Sequence, residues 1–235
     1  MGDARLRLTR RGALALGGLT LVAACGSGAE VVPGNRPAAA TPRLATRWEG
    51  RPNGPLPATG DEGVAITPIL AGTSENPSIR SGALVGNLPA DRAAAAYVTQ
   101  RLGRRVERIG ARYAYGRGDT SGSLALLGWT GEALLQGHCH MVITPDRWIA
   151  GVVTANEVIE IAQEDFARPL PQDGSPLTVD IAFAGSAVTL SLPDGSVKQV
   201  SDLRFAAPGG VMAGWEFYKN TADGCDVRLL ETWAG

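Results

Sequence analysis

The chain has 235 residues, 44% of them hydrophobic and 19% charged, with a formal net charge of −1. That is ordinary globular material for one or two domains, long enough to bury a sizeable core. A balance this near neutrality, with lysine only at Lys198 and Lys219, gives no basic footprint and excludes nucleic acid as a partner.

Four arginines lie within residues 1–11, followed by a short apolar run over residues 12–25. That run falls short of the ~20 residues needed to cross a bilayer and has the size of a signal-peptide hydrophobic region. Thr9-Arg10-Arg11 resembles a twin-arginine motif. Ala13 and Ala15 stand where Phe and Lys are usual, so general and twin-arginine export both stay open. Val22-Ala23-Ala24-Cys25 resembles the bacterial lipobox, with a branched residue three before the Cys and two small residues beside the cut. The resemblance implies loss of residues 1–24 and a lipidated Cys25 as the new first residue. Cys25 would carry a diacylglycerol thioether and acyl chains such as palmitate. Several chains at ~0.8 kcal/mol per buried methylene give stable attachment. The expected partner is membrane lipid, and the expected place is the extracytoplasmic face of the cell membrane. Cleavage takes away four arginines and Asp3, leaving the mature chain at about −4.

Residues 25–63 read as a disordered tether. Pro33, Pro37, Pro42 and the run Arg51-Pro52-Asn53-Gly54-Pro55 interrupt any periodicity, which argues against an ordered core there. Such a tether lifts the domain off the membrane. Trp48 is the exception, placed to pack on the domain as part of a first strand.

The domain itself is expected over residues 64–235. Short β-like runs fall at 64–70, 78–84, 94–101, 106–115, 123–129, 138–144, 147–153, 157–163, 177–183, 187–192, 197–200, 215–218 and 227–232. Turn signals separate them, including Asp173-Gly174, Asp194-Gly195 and Asp223-Gly224, and Asp-Gly between alternating runs marks hairpins. Residues 90–96 are the one stretch with the composition of a helical turn. Leu177, Val179, Ile181 and Phe183 alternate with polar or small residues, as do Val188, Leu190 and Leu192. That is the period of strands with one buried and one wet face. Many short strands at even spacing predict an all-β antiparallel sandwich or barrel.

A resemblance narrows this. Pro193-Asp194-Gly195-Ser196-Val197, Gly214-Trp215-Glu216-Phe217-Tyr218, Thr232-Trp233-Ala234, Ile109-Gly110-Ala111-Arg112-Tyr113 and Arg147-Trp148 together resemble the concanavalin A-like lectin/glucanase (LamG-like) jelly rolls of actinobacterial surface proteins. The resemblance covers roughly residues 64–235. It implies two stacked antiparallel sheets with a concave face that in many relatives binds glycans. Glucanase members carry a Glu-x-Asp-x-x-Glu strand. The nearest stretch here, Glu157-Val158-Ile159-Glu160-Ile161-Ala162-Gln163-Glu164, lacks the central Asp and has different spacing, which argues against catalysis.

The candidate residues follow from strand geometry. Glu160 and Glu164 would share a face and form the weak candidate for a catalytic pair, since a glycosidase needs two carboxyls about 5–10 Å apart. His138 and His140 also share a face, a usable metal pair to which Glu157 or Glu160 could add a third ligand although no motif supports one, and are otherwise binding candidates. Cys139, Met141 and Ile143 then face the core, as do Tyr113 and Tyr115. Arg108 and Arg112 lie opposite those tyrosines, free to hydrogen-bond sugar hydroxyls or carboxylates. Trp129 is the tryptophan to expose for stacking on a sugar. Cys139 and Cys225 are the pair left in an exported chain, read either as a disulfide or as two buried thiols. No Gly-x-Ser-x-Gly or phosphate-binding loop is present. No cofactor or metal is implied, structural calcium in loops staying open. The expectation is a lipid-anchored surface protein whose non-catalytic sandwich binds glycan or cell-envelope polysaccharide. The alternatives are a glycoside hydrolase and a structural protein-interaction module.

Overall fold

The computed structural model describes residues 29–37, 43–73, 75–116, 122–129, 138–153, 157–206, 210–219 and 227–235. In chain order the strands are β1 (Glu30–Pro33), β2 (Leu44–Arg47), β3 (Gly54–Pro55), β4 (Ile66–Ala71), β5 (Ser78–Arg80), β6 (Ala83–Val85), β7 (Ala94–Arg101), β8 (Arg108–Tyr115) and β9 (Gly122–Trp129). There follow β10 (His138–Ile143), β11 (Arg147–Val153), β12 (Val158–Asp165), β13 (Leu177–Ala184), β14 (Ala187–Ser191), β15 (Val197–Ser201), β16 (Met212–Lys219) and β17 (Val227–Ala234). One 3-10 turn, Leu203–Ala206, completes the described elements.

These strands make two antiparallel sheets. One has ten strands in the order β1-β15-β14-β13-β8-β17-β6-β5-β3, with β2 also on β17; the other has seven, β12-β11-β10-β9-β16-β7-β4. The sheets stack because alternation gives each an apolar inner face. Ile109, Ala111, Tyr113 and Tyr115 of β8, Val179 and Ile181 of β13, and Val188 and Leu190 of β14 are buried in the same cluster as Leu124 and Leu126 of β9, Cys139, Met141 and Ile143 of β10, and Trp215 and Phe217 of β16. Two polar tips join the layers where aromatic bodies are buried. The Trp215 indole donates to the Gly110 carbonyl at 2.9 Å, and the Tyr115 hydroxyl donates to the Ile143 carbonyl at 2.8 Å. Buried Trp and Tyr normally find such partners. Tyr113 and Tyr115 also meet edge to face, with ring centroids 5.3 Å apart.

The jelly-roll expectation holds, and three local expectations change. Residues 25–63 are not a tether throughout, because β1 pairs with β15 and β2 with β17. Leu44 and Trp48 are buried in the main cluster, and the Trp48 indole donates to the Thr232 hydroxyl at 3.2 Å. The outward amides of β2 are satisfied by the loop behind it: Ala45 donates to Glu62 and Arg47 to Asp61, both at 2.8 Å. Two carboxylates thus cap an edge that would otherwise present bare amides to another chain. Residues 78–84 are two strands rather than one. Ser81 and Gly82 both have positive φ, 49° and 71°, as a tight hairpin requires, and Asn53 accepts from the Ser81 amide at 2.6 Å. Residues 90–96 form no helix; β7 begins at Ala94, and Ala95 pairs with Ala71 of β4.

Candidate ligand-binding faces

The outer face of the seven-stranded sheet is not a plain wet surface. Ala95, Tyr97, Ala125 and Leu127 form a second buried cluster there, with Ile69, Val142, Met212 and Tyr218 packed against it. The strand alternation that sends Trp215 and Phe217 inward sends Glu216 and Tyr218 to this outer face. Glu216 sits directly opposite Tyr97 on β7 and Ala125 on β9. It is only 4% exposed. Burial pushes its carboxyl up to about 7, against the opposing effect of a hydrogen bond from Tyr97. Burial, and then the Glu216 charge, raise Tyr97 as well. Tyr218 is raised to about 12 by the same two causes. Glu216 Oε1 and the Tyr218 hydroxyl are both shut off from solvent without a hydrogen-bond partner.

His140 belongs to the same face. It pairs with Leu127, which pairs in turn with Gly214. It is 4% exposed, and burial lowers its pKa to about 4, so the ring is neutral near pH 7. Gly151 makes room for it: a Cβ there would lie 3.1 Å from His140 Nε2 and would overlap the Ile159 carbonyl. His140 is therefore neither exposed nor charged. His138 pairs with Trp129, and Trp129 with Met212, across β10, β9 and β16. The side chains of His138 and Trp129 lie outside the described residues. Among the described residues, no group of three His, Cys, Asp or Glu is placed to hold a metal ion.

The proposed carboxylate pair does not form. Between β11 and β12 the register shifts: Ala150 pairs with Ala162, but Gly151 pairs with Glu160. Ile161 is the extra residue of a bulge, which reverses alternation beyond it. Glu160 shares the outer face with Gly151, while Glu164 pairs with the inward Trp148 and reaches Lys198 of the other sheet at 2.6 Å. Glu160 and Glu164 thus point to opposite sides, and the geometry a glycosidase needs is absent from this pair.

Arg108 and Arg112 do lie on the outer face of the ten-stranded sheet, as alternation predicts, but both are engaged. Arg108 donates to Asp180 at 2.5 Å and Arg112 to Glu49 at 2.9 Å. The Arg112 guanidinium holds Glu49 below its usual range, helped by Arg47. Asp180 is raised by burial, opposed by Arg108 and Trp233. Cys139 is inside, its Sγ 3.8 Å from the Phe205 carbonyl, and burial pushes the thiol up to about 12. Cys225 and Cys25 lie outside the described residues.

Sequence reasoning missed Glu216, Tyr97, Tyr218 and Asp180. The alternation Trp215, Phe217 against Glu216, Tyr218 was the available signal for two of them.

No family model matches the sequence, and no curated protein matches it either. Solved structures do. The exoplasmic/lumenal domain of VIP36, in a Ca2+/Man3GlcNAc-bound form, superposes with a TM-score of 0.55 at 11% identity, over 81% of this chain and 87% of that one. Lectin II from Ulex europaeus gives 0.53 at 11% identity, over 83% and 98%. The Emp47p carbohydrate recognition domain gives 0.53 at 9% identity, over 81% and 94%. At such identities the likeness is one of architecture: the chain has the lectin-like jelly-roll sandwich fold.

Proposed function

We propose that this chain is a membrane-anchored, non-catalytic carbohydrate-binding protein whose ligand site is the outer face of the seven-stranded sheet. The observation that carries it is the pair of orphaned polar atoms there, Glu216 Oε1 and the Tyr218 hydroxyl, two residues apart on one strand face beside Tyr97. Native structures rarely leave such atoms unmet, because each costs ~1–3 kcal/mol. A sugar hydroxyl can satisfy both once the partly exposed Tyr218 ring swings outward to uncover them, and the Tyr rings offer apolar surface to its C–H face. The centre of this face, made by His140, Leu127, Glu216, Tyr218 and Tyr97, holds no Lys or Arg, while Arg101 lies at its end opposite Met212 and Arg147 is answered by Asp165; that centre suits a neutral saccharide. The fold shared with carbohydrate recognition domains supports the same reading. The test is a glycan array probed with the full chain carrying Cys25→Ser. Binding to a neutral envelope polysaccharide, weakened ~10-fold by Glu216→Gln and by Tyr218→Phe, is expected. Binding that neither substitution changes, or no binding at all, refutes it.

The anchor is Cys25, and support for it is the sequence around the cut. Only Gly26, Ser27, Gly28 and Ala29 separate Cys25 from β1. At ~3.3–3.6 Å per residue that spans at most ~18 Å, so the β1 edge would sit close to the membrane surface. Mass spectrometry of the membrane fraction tests this, and an unmodified Cys25 overturns it.

A further inference from the structure

The outer face of the ten-stranded sheet carries a second polar group of the same kind. Asp180 pairs with Ser191 across β13 and β14, and with Gly110 across β13 and β8; Gly110 pairs with Trp233 across β8 and β17. Ser191, Asp180, Gly110 and Trp233 therefore form one row over four strands, ~14 Å long at the usual strand spacing. Gly110 has no side chain, and a Cβ there would overlap the Trp233 indole. The indole lies across the glycine and turns its Nε1 toward Asp180, donating to Oδ2 at 3.4 Å. Arg108 donates to the same oxygen. Those contacts leave Asp180 Oδ1 and, directly opposite, Ser191 Oγ, both shut off from solvent and without a partner. The two residues are 2% and 7% exposed on the outward side of a sheet. Around them the row is more open: Trp233, Arg108 and Thr189 are partly exposed and Thr178 is exposed.

An aromatic plate, a carboxylate oxygen held in place by Arg108, and a hydroxyl beside it are complementary to a pyranose ring. The C–H face of the sugar would rest on the indole. With the partly exposed side chains around them turned aside to uncover the two oxygens, one ring hydroxyl would donate to Asp180 Oδ1, and its neighbour would accept from Ser191 Oγ. Two orphaned oxygens in one cross-strand pair are what such a diol would satisfy. We propose that Trp233, Asp180, Ser191 and Arg108 form a second saccharide site, on the sheet opposite the first and independent of it. The Arg108 charge is already answered by Asp180, so the ligand is a neutral sugar rather than a uronic acid.

The experiment titrates the full chain carrying Cys25→Ser with D-glucose, D-galactose, D-mannose and D-glucuronate, following indole emission and amide shifts by NMR. Saturation by at least one neutral hexose is expected, with shifts on β13, β14 and β17. Ser191→Ala should raise the dissociation constant ~5–10-fold. Trp233→Phe should remove the emission change that accompanies the shifts on β13, β14 and β17, and shifts on β7 and β16 report the other sheet. D-glucuronate should bind at least tenfold more weakly than its neutral counterpart. No saturable response to any hexose overturns the proposal, and so does saturation unaffected by Ser191→Ala. A response with shifts confined to β7 and β16 assigns binding to the other sheet and also overturns it. Ser191→Ala removes one oxygen without changing shape, so it tests the site even where an Asp180 substitution fails to fold.

Discussion

Glu216 and His140 share one sheet face and titrate in opposite senses, so removing either unmasks the other. An ordinary Glu carboxyl titrates near 4.5, and burial moves Glu216 to about 7. Between those values the unfolded chain releases a proton that the folded chain keeps, so stability present at pH 4.5 is lost as pH rises to 7. At 1.36 kcal/mol per pH unit the loss is about 3 kcal/mol. An ordinary His titrates near 6.5, and burial lowers His140 to about 4. Between 6.5 and 4 the unfolded chain takes up a proton that the folded chain refuses. Stability present above 6.5 is lost as pH falls, again by about 3 kcal/mol. Over pH 4.5–6.5 the two dependences nearly cancel. Urea unfolding followed by tryptophan emission at pH 4.5, 5.5, 6.5 and 7.5 reads this directly. Relative to the parent, Glu216→Gln should gain about 3 kcal/mol from pH 4.5 to 7, because Gln keeps the shape of the protonated acid and cannot ionise. His140→Gln should gain about as much from pH 6.5 down to 4. A Glu216→Gln curve parallel to the parent within about 0.5 kcal/mol would falsify the claim that burial keeps this carboxyl protonated.

Gly110→Ala should cost ~1–3 kcal/mol, because the new methyl displaces the Trp233 indole rather than filling space; urea midpoints and a shifted indole emission check it, and an unchanged midpoint sinks it. Cys139 should resist iodoacetamide in the folded, reduced protein at pH 8 and react once urea unfolds it, since burial holds the thiol near 12. Peptide mass mapping of the native sample showing carbamidomethyl Cys139 would contradict that.

Much of the sandwich was legible because alternation is a local property. β7 and β11 match their expected bounds, and Tyr113, Tyr115, Cys139 and Met141 face the core as their parity requires. What was not legible depends on partners far away in sequence. Glu30–Pro33 is a strand because β15 offers an edge, and Leu44–Arg47 because β17 does; neither carries a period of its own. The bulge at Ile161 is one added residue, yet it places Glu160 and Glu164 on opposite sides. Adjacent buried residues, Ile161 and Ala162, are its trace in the sequence. The faces of Glu216 and Asp180 followed from alternation. Their burial did not, because a charged residue on an outer face is expected to be wet.

A buried carboxyl on an outer face makes a poor stabiliser, and that separates a structural role from a binding one. Glu216 has one oxygen without a partner and a carboxyl whose ionisation the fold opposes. Its cross-strand neighbours, Ala125 and Tyr97, leave an apolar setting in which Met would be at ease. Glu216→Met removes the unmet oxygen, worth ~1–3 kcal/mol, and at pH 8 also removes the ionisation cost. Against that, Tyr97 loses its acceptor, at ~1 kcal/mol. The expected result is a variant about 4 kcal/mol more stable than the parent at pH 8, and about 1–2 kcal/mol more stable at pH 5, that no longer retains the polysaccharide. Urea unfolding and the glycan array, run on the same preparation, measure both quantities. Should the Met variant be less stable at pH 8, the carboxyl is holding the sheet together, and its orphaned oxygen then gives no reason to expect a ligand.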